Sequence, residues 1–103
     1  MSDRILGLLG LAVKGGKVEF GVFRTERAID TEKAKLVILS GDIGESNKRR
    51  ITAKCKNAGV RMISYSDKVN LSHAVGKQNI PAVTVCDEGF ADAIVKIFGG
   101  VSE

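Results

Sequence analysis

The stretch LVILSGDIGES, from Leu36 to Ser46, decides the fold. It opens with four consecutive apolar residues, Leu36–Leu39, a pattern typical of a strand that helices bury on both faces. A loop containing Gly41 and Gly44 follows, and Ser46 is a suitable N-cap for a helix. A strand that passes through a short loop into a helix is the repeating unit of an α/β fold.

The same alternation extends from this stretch towards both ends of the chain. Because strands alternate with helices throughout, we predict one domain over residues 1–103, an α/β/α sandwich of three layers with a mixed four-stranded sheet. The predicted strands cover residues 18–20, 36–39, 60–65 and 82–86. The predicted helices run from a cap at Ser2 or Asp3 to Gly15-Gly16, over 22–30, from Ser46 to Gly59, from Asp67 through Val75, and from Asp87 through Phe98.

Two details of the packing of these helices are also predicted. Gly7 and Gly10 weaken the first helix, which indicates close packing against a neighbouring backbone. In the helix after Ser46, the apolar stripe consists of Ile51, Cys55 and Ala58.

Composition excludes several classes of protein. The 103 residues include two cysteines, Cys55 and Cys86, too few for the disulfide framework of a small secreted scaffold, so we expect a cytoplasmic protein. The uncharged stretch from Ile5 to Val13 is about half of the ~20 residues that a membrane helix needs, so no membrane association is expected. We also expect a monomer.

The net charge of +4 is unevenly distributed. Residues 1–36, 37–80 and 81–103 carry charges of +2, +5 and −3. A basic surface with an acidic C-terminal end is typical of a domain with one side facing a polyanion, although ordinary solvated lysines explain the same count.

The residues needed for catalysis or metal binding are scarce. His73 is the only histidine, and no Cys-x-x-Cys or His-x-x-x-His pair occurs, so we predict no metal, no cofactor and no enzyme. Both cysteines fit better as small core residues than as nucleophiles. The Gly41–Ser46 loop lacks the Gly-Lys-Ser/Thr of a P-loop, and its own Asp42 and Glu45 would repel a phosphate.

One segment combines positive charge with flexible turns. Lys14-Gly15-Gly16-Lys17 is followed by Gly21 and by Arg24 and Arg27. The two arginines lie three residues apart near a helix N-terminus, so both project from one face where backbone N–H groups also favour phosphate. Arginine binds phosphate oxygens or the N7 and O6 atoms of guanine. The alternative is a solvated face on which Glu26 and Asp30 pair with the arginines.

The ordered set of these segments resembles a known family. Lys14–Lys17, Gly21, Thr25–Ala28, Ala34–Leu39, Gly76-Lys77 and Val83–Asp87 are similar in type and order to the kink-turn RNA-binding ribosomal proteins of the L-seven-Ae and L-thirty-e superfamily, especially their small bacterial YlxQ-type members. The resemblance covers about Leu8 to Phe98. It implies an α/β/α sandwich that binds sharply kinked RNA carrying sheared G·A pairs.

The family's RNA-binding motif, Gly-x-Asn-Glu-x-x-Lys, carries over in part. Gly21 matches its glycine and Arg27 replaces its lysine, whereas Phe23 and Arg24 stand where the family has Asn and Glu. Arg24 cannot accept hydrogen bonds as Glu does. Phe23 either faces the core, which we favour, or stacks on a base.

The resemblance implies a second contact region in Lys77-Gln78-Asn79-Ile80-Pro81, where apolar residues pack against an extruded nucleotide. Just before it, Leu71-Ser72-His73-Ala74 departs from the usual Leu-Gly-x-Ala. The expected RNA-binding residues are therefore Lys14, Gly16, Lys17, Gly21, Phe23, Arg24, Arg27, Lys77, Asn79, Ile80 and Pro81. We expect a non-catalytic protein that binds ribosomal or other kink-turn RNA, with the ribosome as a candidate partner. The alternative is a protein-interaction or scaffold domain that kept the fold and lost kink-turn recognition.

Overall fold

The computed structural model describes residues 3–100, which form five helices and four strands. In chain order these are α1 (Arg4–Lys14), β1 (Val18–Phe20), α2 (Gly21–Asp30), β2 (Leu36–Leu39), α3 (Glu45–Ala58), β3 (Arg61–Ser64), α4 (Lys68–Ala74), β4 (Ala82–Val85) and α5 (Glu88–Gly100). The predicted alternation of strands and helices is confirmed.

The four strands form one mixed sheet in the order β1-β4-β2-β3. β2 and β3 are parallel, whereas β4 runs antiparallel to both of its neighbours. Phe20 is paired with Val83, and Leu39 with Ala82. β1, β2 and β3 therefore end where β4 begins. We call this the front end of the sheet, and the opposite end the back end.

Each face of the sheet has its own hydrophobic core, as expected for a three-layer sandwich. Successive strand residues point to opposite faces, so Leu36 and Ile38 pack on one face while Val37 and Leu39 pack on the other. The first face is covered by α1, α4 and α5, and the second by α2 and α3. No helix within residues 3–100 is long and apolar enough to cross a bilayer.

Aspartates cap three of the helices: Asp67 and Asp87 as predicted, and Asp3, one of two candidates for α1, of which the other, Ser2, lies outside the described residues. Asp3 accepts a hydrogen bond from the Leu6 N–H at 3.0 Å, and Asp67 and Asp87 make the equivalent bonds at the starts of α4 and α5. The prediction that Ser46 caps α3 is wrong. Gly44 takes the N-cap position, and its carbonyl accepts the Lys48 N–H at 2.9 Å, which places Ser46 inside the first turn.

Two packing predictions are only half right. Gly10 does lie against a neighbouring backbone, because an added Cβ would be 3.4 Å from the Ala74 carbonyl oxygen, whereas Gly7 faces open space. Gly7 lies off the stripe through which α1 packs. On α3, Ile51 and Cys55 are buried as expected, but Ala58 is exposed because the helix ends there, beyond the sheet.

Candidate nucleic-acid interface

α2 begins directly after β1, at the front end of the sheet. Gly21 adopts φ +90°, a conformation that L side chains rarely adopt, and this lets the chain reverse without an intervening loop. Phe20 stands at the N-cap position and makes no side-chain capping bond. Within residues 3–100, the first N–H groups of α2 therefore have no capping side chain, and no side chain at the N-cap position offsets the positive end of the helix dipole.

Contacts with its neighbours hold α2 in place. Thr25 is fully buried, and its hydroxyl hydrogen-bonds the Thr84 hydroxyl of β4 at 2.9 Å. Two ion pairs join α2 to α3: Glu26 with Arg50 at 2.8 Å and Asp30 with Lys54 at 2.9 Å. The alternative in which Glu26 and Asp30 neutralise the arginines of α2 is therefore wrong, because both carboxylates turn towards α3.

The outer face of α2 carries Phe23, Arg24 and Arg27. Phe23 is 76% exposed, so the preferred prediction of a core position is wrong. At about 100° per residue, Phe23 lies some 200° around the helix from the buried Thr25, on the side away from the sheet. Arg24 pairs with Glu19 of β1 at 3.2 Å, while Arg27 makes no ion pair with any residue of the described part of the chain.

The loop from Lys77 to Pro81 reaches the same front end, because it leads into β4 beside the end of β1. The Lys77 ammonium lies 5.1 Å from the centroid of the Phe20 ring. Asn79 is exposed with φ +60°, and Ile80 and Pro81 are half-buried. Since Glu19 and Phe20 point to opposite faces of β1, Arg24 and Lys77 flank the end of this strand from its two sides.

The predicted binding residues are thus divided in space. Most lie at the front end, on α2 or on the loop before β4. Gly16 and Lys17 lie at the back end, where the Lys17 carbonyl accepts the Cys86 N–H at 2.8 Å. Lys14 lines a shallow depression together with Gly76, on the α1 side of the same loop.

Sequence reasoning missed several residues of this region. Lys68, Val69 and His73 of α4 line a hollow together with Lys77 and Asn79, and Val69 is 73% exposed. Val69 and His73 are four residues apart, which places them on one helix face. That spacing was readable in the sequence, but it did not show that the face borders the loop.

The described residues offer little for catalysis. No cluster of three or more His, Cys, Asp or Glu side chains that would suit a metal occurs within residues 3–100. Burial raises the pKa of Cys55 to about 11, and burial, followed by the nearby Glu19 carboxylate, raises the pKa of Cys86. Both thiols are therefore protonated at neutral pH and poor nucleophiles. Asp42 accepts the Lys68 N–H at 2.9 Å, which orients the loop as predicted.

Comparison with known proteins identifies the family. Residues 3–95 match the model of the Ribosomal protein L7Ae/L30e/S12e/Gadd45 family. The chain belongs to this family. The resemblance predicted from the sequence is therefore confirmed.

Three curated proteins are similar to this chain along most of their length. RNA-binding protein YlxQ of Bacillus subtilis (strain 168) is 31% identical over 90 residues, which cover 87% of this chain and 90% of the relative. RNA-binding protein YlxQ of Enterococcus faecium is 27% identical over 98 residues, 95% and 94% of the two chains. Large ribosomal subunit protein eL30 of Yarrowia lipolytica (strain CLIB 122 / E 150) is 32% identical over 103 residues, 89% and 86%. These are names of RNA-binding and ribosomal proteins, in agreement with the prediction that the chain is not an enzyme.

Solved structures show the same fold. A protein of unknown function from Bacillus halodurans has a TM-score of 0.92 at 26% identity, with 95% of this chain and 99% of that chain covered. A 15.5kD RNA binding protein of Giardia lamblia has a TM-score of 0.77 at 16% identity, with 99% and 91% covered. The L7Ae/L30e sandwich is thus shared by proteins whose sequences differ widely.

Proposed function

We propose that this protein is a non-catalytic RNA-binding protein that recognises kinked RNA carrying sheared G·A pairs. The observation that carries the proposal is the meeting, at the front end of the sheet, of an uncapped helix N-terminus with the Lys77–Pro81 loop. Membership of the L7Ae/L30e family, with relatives named as RNA-binding and ribosomal proteins, supports it.

The outer face of α2 supplies the contacts to structured RNA. Its free N–H groups and the guanidinium groups of Arg24 and Arg27 suit phosphate oxygens or guanine N7 and O6. Phe23 presents an exposed ring on which an unstacked base can lie. Gly21 leaves space for the close approach of an RNA backbone, since nothing lies within 4 Å of the position of a Cβ.

The loop before β4 supplies the second group of contacts. Ile80 and Pro81 offer apolar surface for an extruded nucleotide, and Lys77 and Asn79 offer donors to its phosphate and base edge. The loop and α2 flank the end of β1, so a bent RNA would contact both at once. A straight duplex would meet mainly one of them.

The remaining predicted residues extend the interface. Lys14 borders the loop, and Gly16 and Lys17 lie one strand length away at the back end. We assign to these three residues contacts with a stem that continues along β1 away from the kink. The ribosome is the proposed setting, with ribosomal RNA as a candidate ligand, and we propose a cytoplasmic monomer.

A second candidate function is a protein-interaction or scaffold domain without kink-turn recognition. It is favoured by Phe23 and Arg24, which replace the Asn-Glu pair implied by the family motif. Arg24 has no acceptor atom for the donors of a guanine edge.

One experiment separates the two functions. Fluorescence anisotropy with the intact chain would compare a kink-turn RNA, the same RNA with its G·A pairs changed to G·C, and a straight duplex of equal length. We expect the kink-turn RNA to bind at least tenfold more tightly than the other two. Equal, weak affinity for all three would support the scaffold function.

Alanine variants then test the assigned residues. Arg24→Ala and Arg27→Ala should each lower the affinity for the kink-turn RNA by about 1–3 kcal/mol if they read base edges, and by less if they contact phosphate. Lys56→Ala, at the far end of α3, is the matched control and should bind like the unmodified protein. Unchanged affinity of both arginine variants would contradict the site.

A further inference from the structure

The loop between α4 and β4 is anchored by one buried side chain. Ser72 is only 4% exposed, and its hydroxyl oxygen accepts a hydrogen bond from the Ile80 N–H at 2.7 Å. The backbone carbonyl of the same residue accepts the Lys77 N–H at 3.0 Å. Ser72 therefore holds the loop at both Lys77 and Ile80.

The loop has few other restraints. Lys77, Gln78 and Asn79 are exposed, and no backbone hydrogen bond to another described residue is made by the N–H groups of Gln78 and Asn79. The next fixed point is the Pro81 carbonyl, which accepts the Ser40 N–H at 2.8 Å at the end of β2. Between Lys77 and Pro81, the hydroxyl of Ser72 is thus the hydrogen-bond partner that sets the path of the backbone.

This anchor also determines where two proposed RNA contacts lie. With its N–H bound to Ser72, Ile80 packs one part of its side chain against the core formed by α1, α4 and α5, and leaves the rest at the surface. At the start of the loop, where the Ser72 carbonyl holds the Lys77 N–H, the Lys77 ammonium lies over the Phe20 ring. Glycine, which the family pattern places at this position, has no side chain that could make the bond to Ile80.

We propose that Ser72 is a positioning residue for RNA binding: its buried hydroxyl holds the Lys77–Pro81 loop in the conformation that contacts the RNA. This proposal rests on the proposed function. A loop held in its binding conformation binds without first being ordered. If the unanchored loop adopted that conformation for about one tenth of the time, the affinity would fall about tenfold.

The first test uses Ser72→Ala, which removes the hydroxyl and fills no new space. We expect about tenfold weaker binding of the kink-turn RNA, and little change in the weak binding of a straight duplex. Ser72→Thr, which keeps the hydroxyl, should restore most of the affinity. Tyr65→Phe is the matched control, because it removes a side-chain hydrogen bond of 2.8 Å, to Asp3, that does not involve the Lys77–Pro81 loop, and it should bind like the unmodified protein.

A double-mutant cycle shows whether Ser72 acts through the loop. Lys77→Ala removes a loop contact, so Ser72→Ala should cost less affinity in that background than alone. Additive effects would contradict the positioning role. Wild-type affinity of Ser72→Ala for the kink-turn RNA would overturn it.

Hydrogen exchange tests the anchor without RNA. A failure of the anchor can therefore be distinguished from a failure of the proposed function. In Ser72→Ala the Ile80 amide should exchange at least tenfold faster, while the Val83 amide within β4 keeps its rate. An unchanged Ile80 rate would overturn the anchor itself. If the unmodified protein shows no preference for kinked RNA, the proposed function fails, and the positioning role fails with it even where the Ile80 rate rises.

Discussion

Phe23 shows how a single exposed ring can mark a surface. It is 76% exposed and lies four residues before Arg27 on the same side of α2, in the middle of the proposed interface. An exposed phenyl ring adds little to the stability of the fold, but a base stacked on it contributes about 1–3 kcal/mol to the free energy of RNA binding.

We therefore predict that Phe23→Ala weakens RNA binding by roughly this amount. The free energy of unfolding should change by less than about 0.5 kcal/mol, because the ring makes little contact with the core. Phe98→Ala is a suitable control for affinity, since Phe98 also has an exposed phenyl ring, at 41%, but lies on α5. A loss of thermal stability without any loss of affinity would contradict this role of the ring.

The buried thiol of Cys55 makes the stability of the folded protein depend on pH. Its pKa of about 11, raised by burial from 9.0, means that the folded protein holds the proton more tightly than the unfolded chain. The stabilisation is fully present below pH 9 and is lost as the pH rises from 9 to 11, because only the unfolded chain then gives up the proton readily.

Urea unfolding across this pH range should show a loss of up to about 2–3 kcal/mol from this thiol. Cys55→Ala lacks the titrating group and provides the control. It should start from a lower stability because of the small cavity, yet decline less between pH 9 and 11. Parallel declines of the two proteins would show that the thiol does not contribute.

At the scale of elements, α3 shows why a count of charges does not locate a site. α3 is the most basic helix of the chain, but two of its cations, Arg50 and Lys54, are held by carboxylates of α2. Glu26 raises the pKa of Arg50 by hydrogen bonding and by its charge, which fits a stabilising pair between two helices. The sequence alone could not distinguish these paired cations from free ones, because the pairing depends on how α2 and α3 lie side by side.

Substitution by alanine should have opposite effects on stability at two glycines. Gly7 is helical and faces open space, so Gly7→Ala should stabilise α1 by up to about 1 kcal/mol. Gly21 also faces open space but has φ +90°, so Gly21→Ala should destabilise the protein by about 1–2 kcal/mol through the backbone alone. Thermal unfolding of the two variants measures both effects, and a loss of stability in both would contradict the open position of Gly7.

At the scale of the whole molecule, the class of fold was more predictable than the arrangement of its parts. Apolar runs such as Leu36–Leu39 and glycine or aspartate at helix ends are local signals, and they correctly located most elements. The strand order β1-β4-β2-β3 depends on contacts between distant residues and was not predictable beyond a mixed sheet. That order brings the start of α2 beside the Lys77–Pro81 loop, whereas the length of β1 alone separates Lys17 from Gly21.

The distribution of charge over the whole molecule leads to the last prediction. If three or four phosphates are neutralised, the logarithm of the affinity should fall with the logarithm of salt concentration at a slope near −3. We attribute this slope to cations at the front end of the sheet, not to the net charge of +4.

Two triple variants of equal charge separate these explanations. The front variant carries alanine at Arg24, Arg27 and Lys77. The distant variant carries alanine at Lys35, Lys56 and Lys96. Each variant loses three positive charges, so its net charge falls from +4 to +1. If each front residue contacts one phosphate, the slope of the front variant should lie between about −1 and 0, while the distant variant stays near −3. Equal slopes in the two variants would mean that net charge alone determines the binding, because long-range attraction depends on total charge and not on which cations touch the RNA.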